Sequence, residues 1–436
     1  MDNAGEGRDH QPGWRRRGMA IAAAGALLIG VAACGGDDDD EASATDDTGT
    51  TGSEAEELLG PEDVAEGEPV LIGFVSDGAT DAFDNTDELR AAEATAEYWN
   101  THKGGIGGRP IEVVTCEAKG DPATAASCAN QLVEDQVMAV ALSQSAAGPA
   151  VWEPLHEAGV PTFFFQASDE GMAADTETSF LLVNPLAVFL GVPLGAAEES
   201  GADKIAFVNI DVPQALSQFE SGAVQDAMDN AGLEYELVKV PPGAPDATAQ
   251  MQQVIDSGAG VVHITGNDAT CIASIQGLNA LGYDGEITSI SQCITDATRE
   301  ALPAESLEGV SLLSLLAIGD DDDAAYQLYQ AVIGTYGQDV EDVDNALGMG
   351  AYTTMASLGL ALEGIEGDIT HETVVETIKS MDEVDYPGAE GLTFQCGGSA
   401  SPDQPAVCSN GALRAVLDAS GEATTYEPSD ASDALQ

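Results

Sequence analysis

From Pro69 onward, short apolar runs alternate with amphipathic stretches. Val70 to Ser76 (VLIGFVS) is an unbroken apolar run ending at an Asp-Gly turn, the pattern of a strand buried on both faces. Asp87 to Asn100 (DELRAAEATAEYWN) has helical spacing, with acids in its first turn. GGIGGRP then leads into a second strand, Ile111 to Thr115. The alternation predicts helix Pro122 to Glu134, strand Val137 to Leu142, helix Val151 to Ala158 and strand Pro161 to Phe165. After Pro185 it resumes with strand Lys204 to Ile210, helix Gln218 to Ala231 and strand Glu234 to Val240. Helix Ala247 to Ser257, strand Gly260 to Thr265, helix Cys271 to Leu281 and strand Glu286 to Ile290 continue the series. Strands alternating with helices at this spacing predict parallel, doubly wound sheets. There are too many units for one ordinary domain, so the expected fold is α/β, with two doubly wound parallel-sheet lobes.

Upstream the pattern changes. Arg15-Arg16-Arg17 precedes Met19 to Ala33 (MAIAAAGALLIGVAA), an uncharged apolar segment too short to span the roughly 30 Å hydrocarbon core. Basic flank, short apolar core and small residues at its end describe a secretory signal peptide over 1–33. The arginine cluster leaves Sec and Tat export both open. Val31-Ala32-Ala33-Cys34 resembles the lipobox of bacterial lipoproteins. That resemblance implies that Cys34 is lipidated and becomes the new N-terminus, placing the protein at the cell membrane on its extracytoplasmic (outer or periplasmic) face. From Gly35 to Gly67 (GGDDDDEASATDDTGTTGSEAEELLGPEDVAEG) acids recur among Ser, Thr and Gly, with almost no apolar residues. Residues 34–67 are therefore expected to form a lipidated cysteine followed by a disordered, self-repelling tether. No later run of eighteen apolar residues occurs, so the lipid is the expected anchor.

Charge and cysteines narrow the function classes. Thirteen Lys and Arg face 76 Asp and Glu, a net charge of −63. Such a surface repels phosphate backbones and argues against nucleic-acid binding. Besides Cys34, six cysteines fall in sequence-local pairs: Cys116 with Cys128, Cys271 with Cys293, and Cys396 with Cys408. Fifteen pairings are possible in principle, and nearest-neighbour disulfides are expected for an exported chain. No C-x-x-C or H-x-x-x-H spacing suggests zinc, and no metal is expected. Asp320 to Asp323 begins a helix, where acids are stabilising without calcium.

Several stretches together carry a more definite resemblance. These are IGFVSDGATDAF, AEYWNTHKGGIGGRPIEVV, GDPATAASCANQLVEDQVMAV and ALSQSAAGPAVWEPLHEAGVPTFFFQAS, with AYTTMASLGLAL and the GLTF and CSNGALRAVLD segments later. Roughly Val70 to Asp418 resembles the type I periplasmic binding proteins of the leucine/isoleucine/valine-binding family. GGIGG follows a helix and precedes a strand, so it reads as a turn and not as a phosphate loop. The resemblance implies a first lobe of 68–183 and 318–390, a second of 184–317 and 391–425, a tail at 426–436, and hinge closure around a ligand.

Ligands of open parallel sheets bind beyond the carboxyl ends of the strands. Five loops meet that condition: Asp77 to Phe83, Ser143-Gln144-Ser145, Gln166-Ala167-Ser168, Gly266-Asn267-Asp268 and Ser291-Gln292-Cys293. By resemblance, hydroxyls and amides of the second and third loops hold the carboxylate and amine of an amino acid. Serine offers both a donor and an acceptor, and the same serines also suit helix caps. The second lobe departs from the amino-acid pattern. Leu216 precedes AVQD (Ala223 to Asp226) where relatives place a tyrosine, Asn267 replaces another, and the Gln292-Cys293 neighbourhood replaces the ammonium-binding glutamate. Asp268 either restores that charge or caps a helix. An amide, a polyol-like solute or a small aromatic acid therefore stays open alongside amino acids. A Cys271–Cys293 bond would stiffen two of these loops and lower the ordering cost of binding.

No G-x-S-x-G, H-E-x-x-H or kinase set occurs, so no enzyme and no cofactor are expected. His263, in an apolar strand, reads as a core residue. The expectation is a monomeric solute-binding lipoprotein serving an ABC importer, with permease and ATPase on separate chains. The alternative is a receptor ectodomain of the same fold acting with a membrane partner.

Overall fold

The structure is a computed structural model that describes residues 52–430, apart from 81–83, 144, 146, 167–168, 221 and 419. The chain begins with α1 (Gly52–Leu59), β1 (Val70–Ser76), α2 (Thr86–His102), β2 (Ile111–Glu117), α3 (Pro122–Glu134) and β3 (Ala139–Leu142). α4 (Gly148–Glu157), β4 (Thr162–Phe164), α5 (Glu170–Ala173), β5 (Ser179–Leu181) and α6 (Pro185–Ser200) follow. Next come β6 (Lys204–Ile210), α7 (Pro213–Glu220), α8 (Ala223–Ala231), β7 (Glu234–Val240), α9 (Thr248–Ser257) and β8 (Val261–Thr265). α10 (Asp268–Leu281), β9 (Glu286–Ser289), α11 (Asp296–Ala301) and β10 (Ser311–Ser314) precede α12 (Ala324–Tyr336), α13 (Ala346–Ala361) and α14 (His371–Lys379). A short hairpin, β11 (Val384–Asp385) and β12 (Thr393–Phe394), leads to β13 (Gly411–Leu417) and β14 (Ala423–Asp430).

β1 is paired on both sides, Ile72 lying opposite Val113 of β2 and Ala139 of β3. Helices cover both faces, so Ile72, Phe74 and Val75 are fully buried, which is why this strand reads as a continuous apolar run. The first sheet is parallel throughout, in the order β2-β1-β3-β4-β5. The second sheet runs β14-β13-β10-β9-β8-β6-β7. It is parallel from β7 to β10, whereas β13 and β14 are antiparallel additions. The expected parallel, doubly wound sheets are present, and the second carries this antiparallel edge in addition. β13 and β14 are joined by a tight turn, Asp418 N donating to Glu422 O at 2.9 Å, so no crossover helix intervenes.

Local chemistry sets the element ends. Asp121 caps α3 by accepting from Thr124 N at 2.8 Å, with Pro122 at the first helical position. Asn184 caps α6 through Leu186 N at 2.8 Å. α6 is apolar around its whole circumference, so it carried no amphipathic signal; it is buried against Phe207 on one side and Ala412 on another. The single helix expected over Gln218 to Ala231 is two, because Gly222 adopts φ +90° between them. GGIGG is a turn: a Cβ on Gly105, which has φ +65°, would lie 2.0 Å from Arg109 O.

Two expected boundaries move. The tether does not run to Gly67 as expected. Leu59 at the end of α1 is 5% exposed, and Asp63 N and Ala65 N donate to Thr101 O and Asn100 O at 2.8 Å each. Two adjacent leucines and free carbonyls at the end of α2 give this acidic segment a place to dock. The return to the second lobe, expected at 391, comes at 409–411. Leu392, Phe394, Cys396 and Cys408 belong to the core built around β1 and α2, and Asn184 N meets Ser409 O at 3.0 Å at the crossing. The expected tail from 426 includes the end of β14. The signal peptide and Cys34 lie outside the described residues. All three nearest-neighbour disulfides are formed. Among the described residues no helix is long and apolar enough to cross a membrane.

Candidate functional site

A parallel sheet opens a crevice where neighbouring strands send their connections in opposite directions. In the first sheet that switch lies between β1 and β3, because the chain leaves β1 for β2 on the other side. In the second it lies between β6 and β8, with β7 outside β6. The loops after these four strands are therefore where the fold concentrates free backbone and side-chain groups.

In the first lobe, two of the expected residues meet across the switch. Asp77 follows β1 and is 5% exposed. Its Oδ1 accepts from Ser145 Oγ at 2.6 Å and from Gly120 N at 3.2 Å. Ser145 Oγ accepts from Ala147 N at 3.1 Å, which fixes the loop into α4. The start of the Asp77 loop is pinned by Glu117, which accepts from Ala79 N at 3.0 Å and pairs with Lys119. Lys119 Nζ donates to Ala79 O at 2.8 Å, and its hydrogen bond to Glu117 holds that carboxyl below the usual range.

Ser143 plays a different part. It is 1% exposed, and its hydroxyl donates to Glu88 Oε1, while Ser76 donates to the second oxygen of the same carboxylate. Ser143 thus supports the β3 loop from within. Glu88 was passed over in the sequence because an acid in a first helical turn reads as a complement to the helix dipole. Its spacing held the signal: Glu88, Ala91, Ala92, Thr95 and Trp99 form the buried stripe of α2. Burial pushes the Glu88 carboxyl up to about 7; the two serine hydroxyls oppose the rise and the negative charge of Asp77 adds to it.

Gln166, after β4, is half-buried. Phe83, Gln144, Ala167 and Ser168 lie outside the described residues.

The second lobe arranges its residues through helix α10. Asn267 is its N-cap, accepting from Thr270 N at 3.2 Å and Thr270 Oγ1 at 3.1 Å. Asp268 is half-buried and accepts from Thr295 Oγ1 at 2.8 Å, which ties the β8 loop to the segment after β9. Cys271 and Cys293 bridge the same two segments from beneath, both fully buried with Cα atoms 5.4 Å apart. Gln292 contributes its backbone to the short turn Ser291–Cys293. Leu216 is 5% exposed within α7, so it is packed and not offered to solvent.

The described histidines are structural. His263 is fully buried with Nδ1 2.9 Å from Thr288 Oγ1, and burial depresses its pKa to about 3. His102 bridges Gly60 O and Tyr336 Oη, at 3.0 and 2.7 Å. His371 meets Val137 O at 2.9 Å. His156, Asp175 and Glu177 bring ligand atoms within 4.8 Å of one another. Asp175 there closes a turn, accepting from the backbone N of Glu177, Thr178 and Ser179 at 2.8–3.0 Å. Asp323, in the acidic run, caps α12 through Ala325 N and Tyr326 N, both at 2.9 Å.

A family model described as periplasmic binding protein matches residues 69–407. Among solved structures, a protein from Rhodospirillum rubrum assigned as a branched-chain amino acid ABC transporter aligns with TM-score 0.66 and 18% identity, over 82% of this chain and 99% of that one. The branched-chain amino acid transporter substrate-binding protein of Streptococcus pneumoniae, solved with isoleucine, aligns with TM-score 0.58 and 18% identity, over 83% and 100%. A solute-binding protein of R. palustris in complex with 4-hydroxybenzoate gives TM-score 0.56 and 17% identity, over 83% and 98%. Comparison with curated proteins gives no match. With the model spanning most of its length and two parallel α/β lobes beneath it, the chain belongs to the periplasmic binding protein family, whose members bind solutes outside the cytoplasm and are not enzymes.

Proposed function

We propose that this protein is an extracytoplasmic lipoprotein, anchored through Cys34, that captures a small polar solute between its lobes. It delivers that solute to an ABC importer whose permease and ATPase are separate chains, and it acts as a monomer. The solute is an amino acid or a related amide or organic acid. The observation that carries this reading is the Asp77–Ser145 hydrogen bond, 2.6 Å long, at the switch between β1 and β3. It fixes an acceptor and a hydroxyl side by side where the fold gathers its ligand-facing loops. In the opposite lobe, Asp268, Asn267 and the backbone at Gln292 supply a carboxylate and polar groups on a wall stiffened by Cys271–Cys293. Preorganised loops of this kind leave less to order on binding. Similar folds solved with isoleucine and with 4-hydroxybenzoate support a range of carboxylate-bearing solutes.

A thermal-shift screen against amino acids, amides, urea-like solutes and aromatic acids tests the proposal. A solute at about 100 times its dissociation constant stabilises the fold by about 2.7 kcal/mol, a visible shift. Silence across all four classes, with the protein folded, would instead favour a receptor ectodomain. For the anchor, metabolic labelling with palmitate should mark the wild type and miss Cys34→Ser; equal labelling contradicts lipidation at that residue.

A further inference from the structure

Glu88 lies directly beneath the loop that follows β1. Its two carboxylate oxygens each accept a hydroxyl proton, one from Ser76 and one from Ser143. Ser76, fully buried at the end of β1, also anchors that loop, its Oγ accepting from Gly78 N at 3.0 Å. The far end of the loop returns to the same place. Asn85 N donates to Gly78 O at 3.1 Å, and Asn85 O lies 3.3 Å from Ser76 Oγ. Ser76 has a single proton to give, so the Glu88 carboxylate and the Asn85 carbonyl compete for it.

The charge of Glu88 decides that competition. As a carboxylate it only accepts, and it takes the Ser76 proton. As an acid it has a proton of its own to donate. Given to Ser76 Oγ, that proton turns the serine hydroxyl toward Asn85 O and ties the two ends of the loop together. Ser76 Oγ then accepts twice, from Gly78 N and Glu88, and donates once, the full capacity of a hydroxyl. Burial brings the Glu88 carboxyl up to about 7, so both forms are populated near neutrality.

Few charges around Glu88 compete with this arrangement. Asp77, after β1, adds to the rise. On α2 itself Asp87 and Arg90 are paired at 2.8 Å, and Arg90 faces Glu341 at 3.6 Å. Across the loop Glu117 is paired with Lys119, and before α13 Asp344 accepts from the Tyr326 hydroxyl. β3, and the helices α12 and α13 that pack on α2, contain no Asp, Glu, Lys, Arg or His. Burial pushes the phenols of Tyr326, Tyr329 and Tyr352 up, so they stay neutral.

We propose that Glu88 is a proton-operated positioning residue: protonated, it ties the loop after β1 to Ser76 at both ends, and ionised, it releases the tie to Asn85. On the function proposed above this is a solute loop, and that part of the inference rests on that reading. A loop tied at both ends leaves less to order, so solute binds more tightly at lower pH.

Amide NMR of the protein without solute tests the switch by itself. The Gly78 and Asn85 signals should titrate together in one step near pH 7. Glu88→Gln, whose amide always has a proton to donate, should hold both signals at their low-pH positions throughout. Ser76→Ala should remove the step at Asn85. Signals that stay flat from about pH 5.5 to 8.5, or a step that survives in Glu88→Gln, would overturn the proposal. The wild-type and Ser76→Ala titrations decide it if Glu88→Gln does not fold. Calorimetry with isoleucine then reads the link to solute. Affinity should be at least about threefold higher at pH 6 than at pH 8 in the wild type, and equal at both in Glu88→Gln. Equal affinity in the wild type would overturn the positioning role even with the amide step present. No isoleucine binding at either pH, with the step present, would count against the amino-acid reading and leave the switch in place.

Discussion

Glu88 is where the first lobe concentrates its electrostatic constraint. Its carboxyl is fully buried between Ser76 and Ser143, and its pKa is raised to about 7, chiefly by burial. An acid that binds its proton more tightly when folded contributes stability that is fully present below its unfolded pKa. That contribution is lost as pH rises from about 4.5 to about 7, and the curve is flat above. Glu88→Gln removes the slope, so the variant should gain on the wild type by about 2 kcal/mol between pH 5 and pH 8. Urea unfolding at the two pH values checks this, and a constant gap between the proteins would contradict it. His263 acts in the opposite sense, since its depressed pKa costs stability as pH falls below about 6.5. At this scale the apolar runs placed Asp77 and Ser145 beyond strand ends, and the structure brings the two into hydrogen-bond contact. The sequence hid Glu88 because whether a first-turn acid faces solvent or sheet depends on packing. It also offered Ser143 and Leu216 as ligand contacts, and both are buried.

Elements were legible where their period was clean. The strands Val70–Ser76, Lys204–Ile210 and Glu234–Val240 and the helix Pro122–Glu134 lie where the pattern put them. α6 was invisible for a physical reason: a helix buried on every side has no polar face to reveal its turn. β13 and β14 were missed because an antiparallel edge needs no crossover helix to announce it. α1 was misjudged on composition, since acids outnumber its few apolar residues although Leu59 docks into the core. Leu59→Ala should therefore lower stability by about 2 kcal/mol, the low end for a buried leucine at an edge. Unfolding in urea measures it, and no loss would mean that α1 is merely laid against the body. At the Cys271–Cys293 pair, replacing both residues by serine should cost on the order of 3 kcal/mol and weaken the solute as well. The same change at Cys116 and Cys128 should cost similar stability and leave affinity unaltered. Equal effects on affinity would remove the disulfide's place in the ligand wall.

For the whole molecule, the two-lobed architecture followed from counting α/β units, and the crossings did not. Asn184, Ala317 and Ser409 mark where strands of one lobe give way to the other, and their positions are set by hydrogen bonds between distant segments, such as Asn184 Nδ2 with Asn410 Oδ1 at 2.8 Å. No local sequence period encodes such pairings. A solute held between two lobes should need both of them. The most direct test is calorimetric titration of the best solute from the screen into the wild type, Ser145→Ala and Asp268→Asn. The account predicts one-to-one binding, with affinity falling at least about tenfold, or 1.4 kcal/mol, in each variant. Binding that ignores either substitution, or two solutes per chain, would contradict a cleft formed by both lobes.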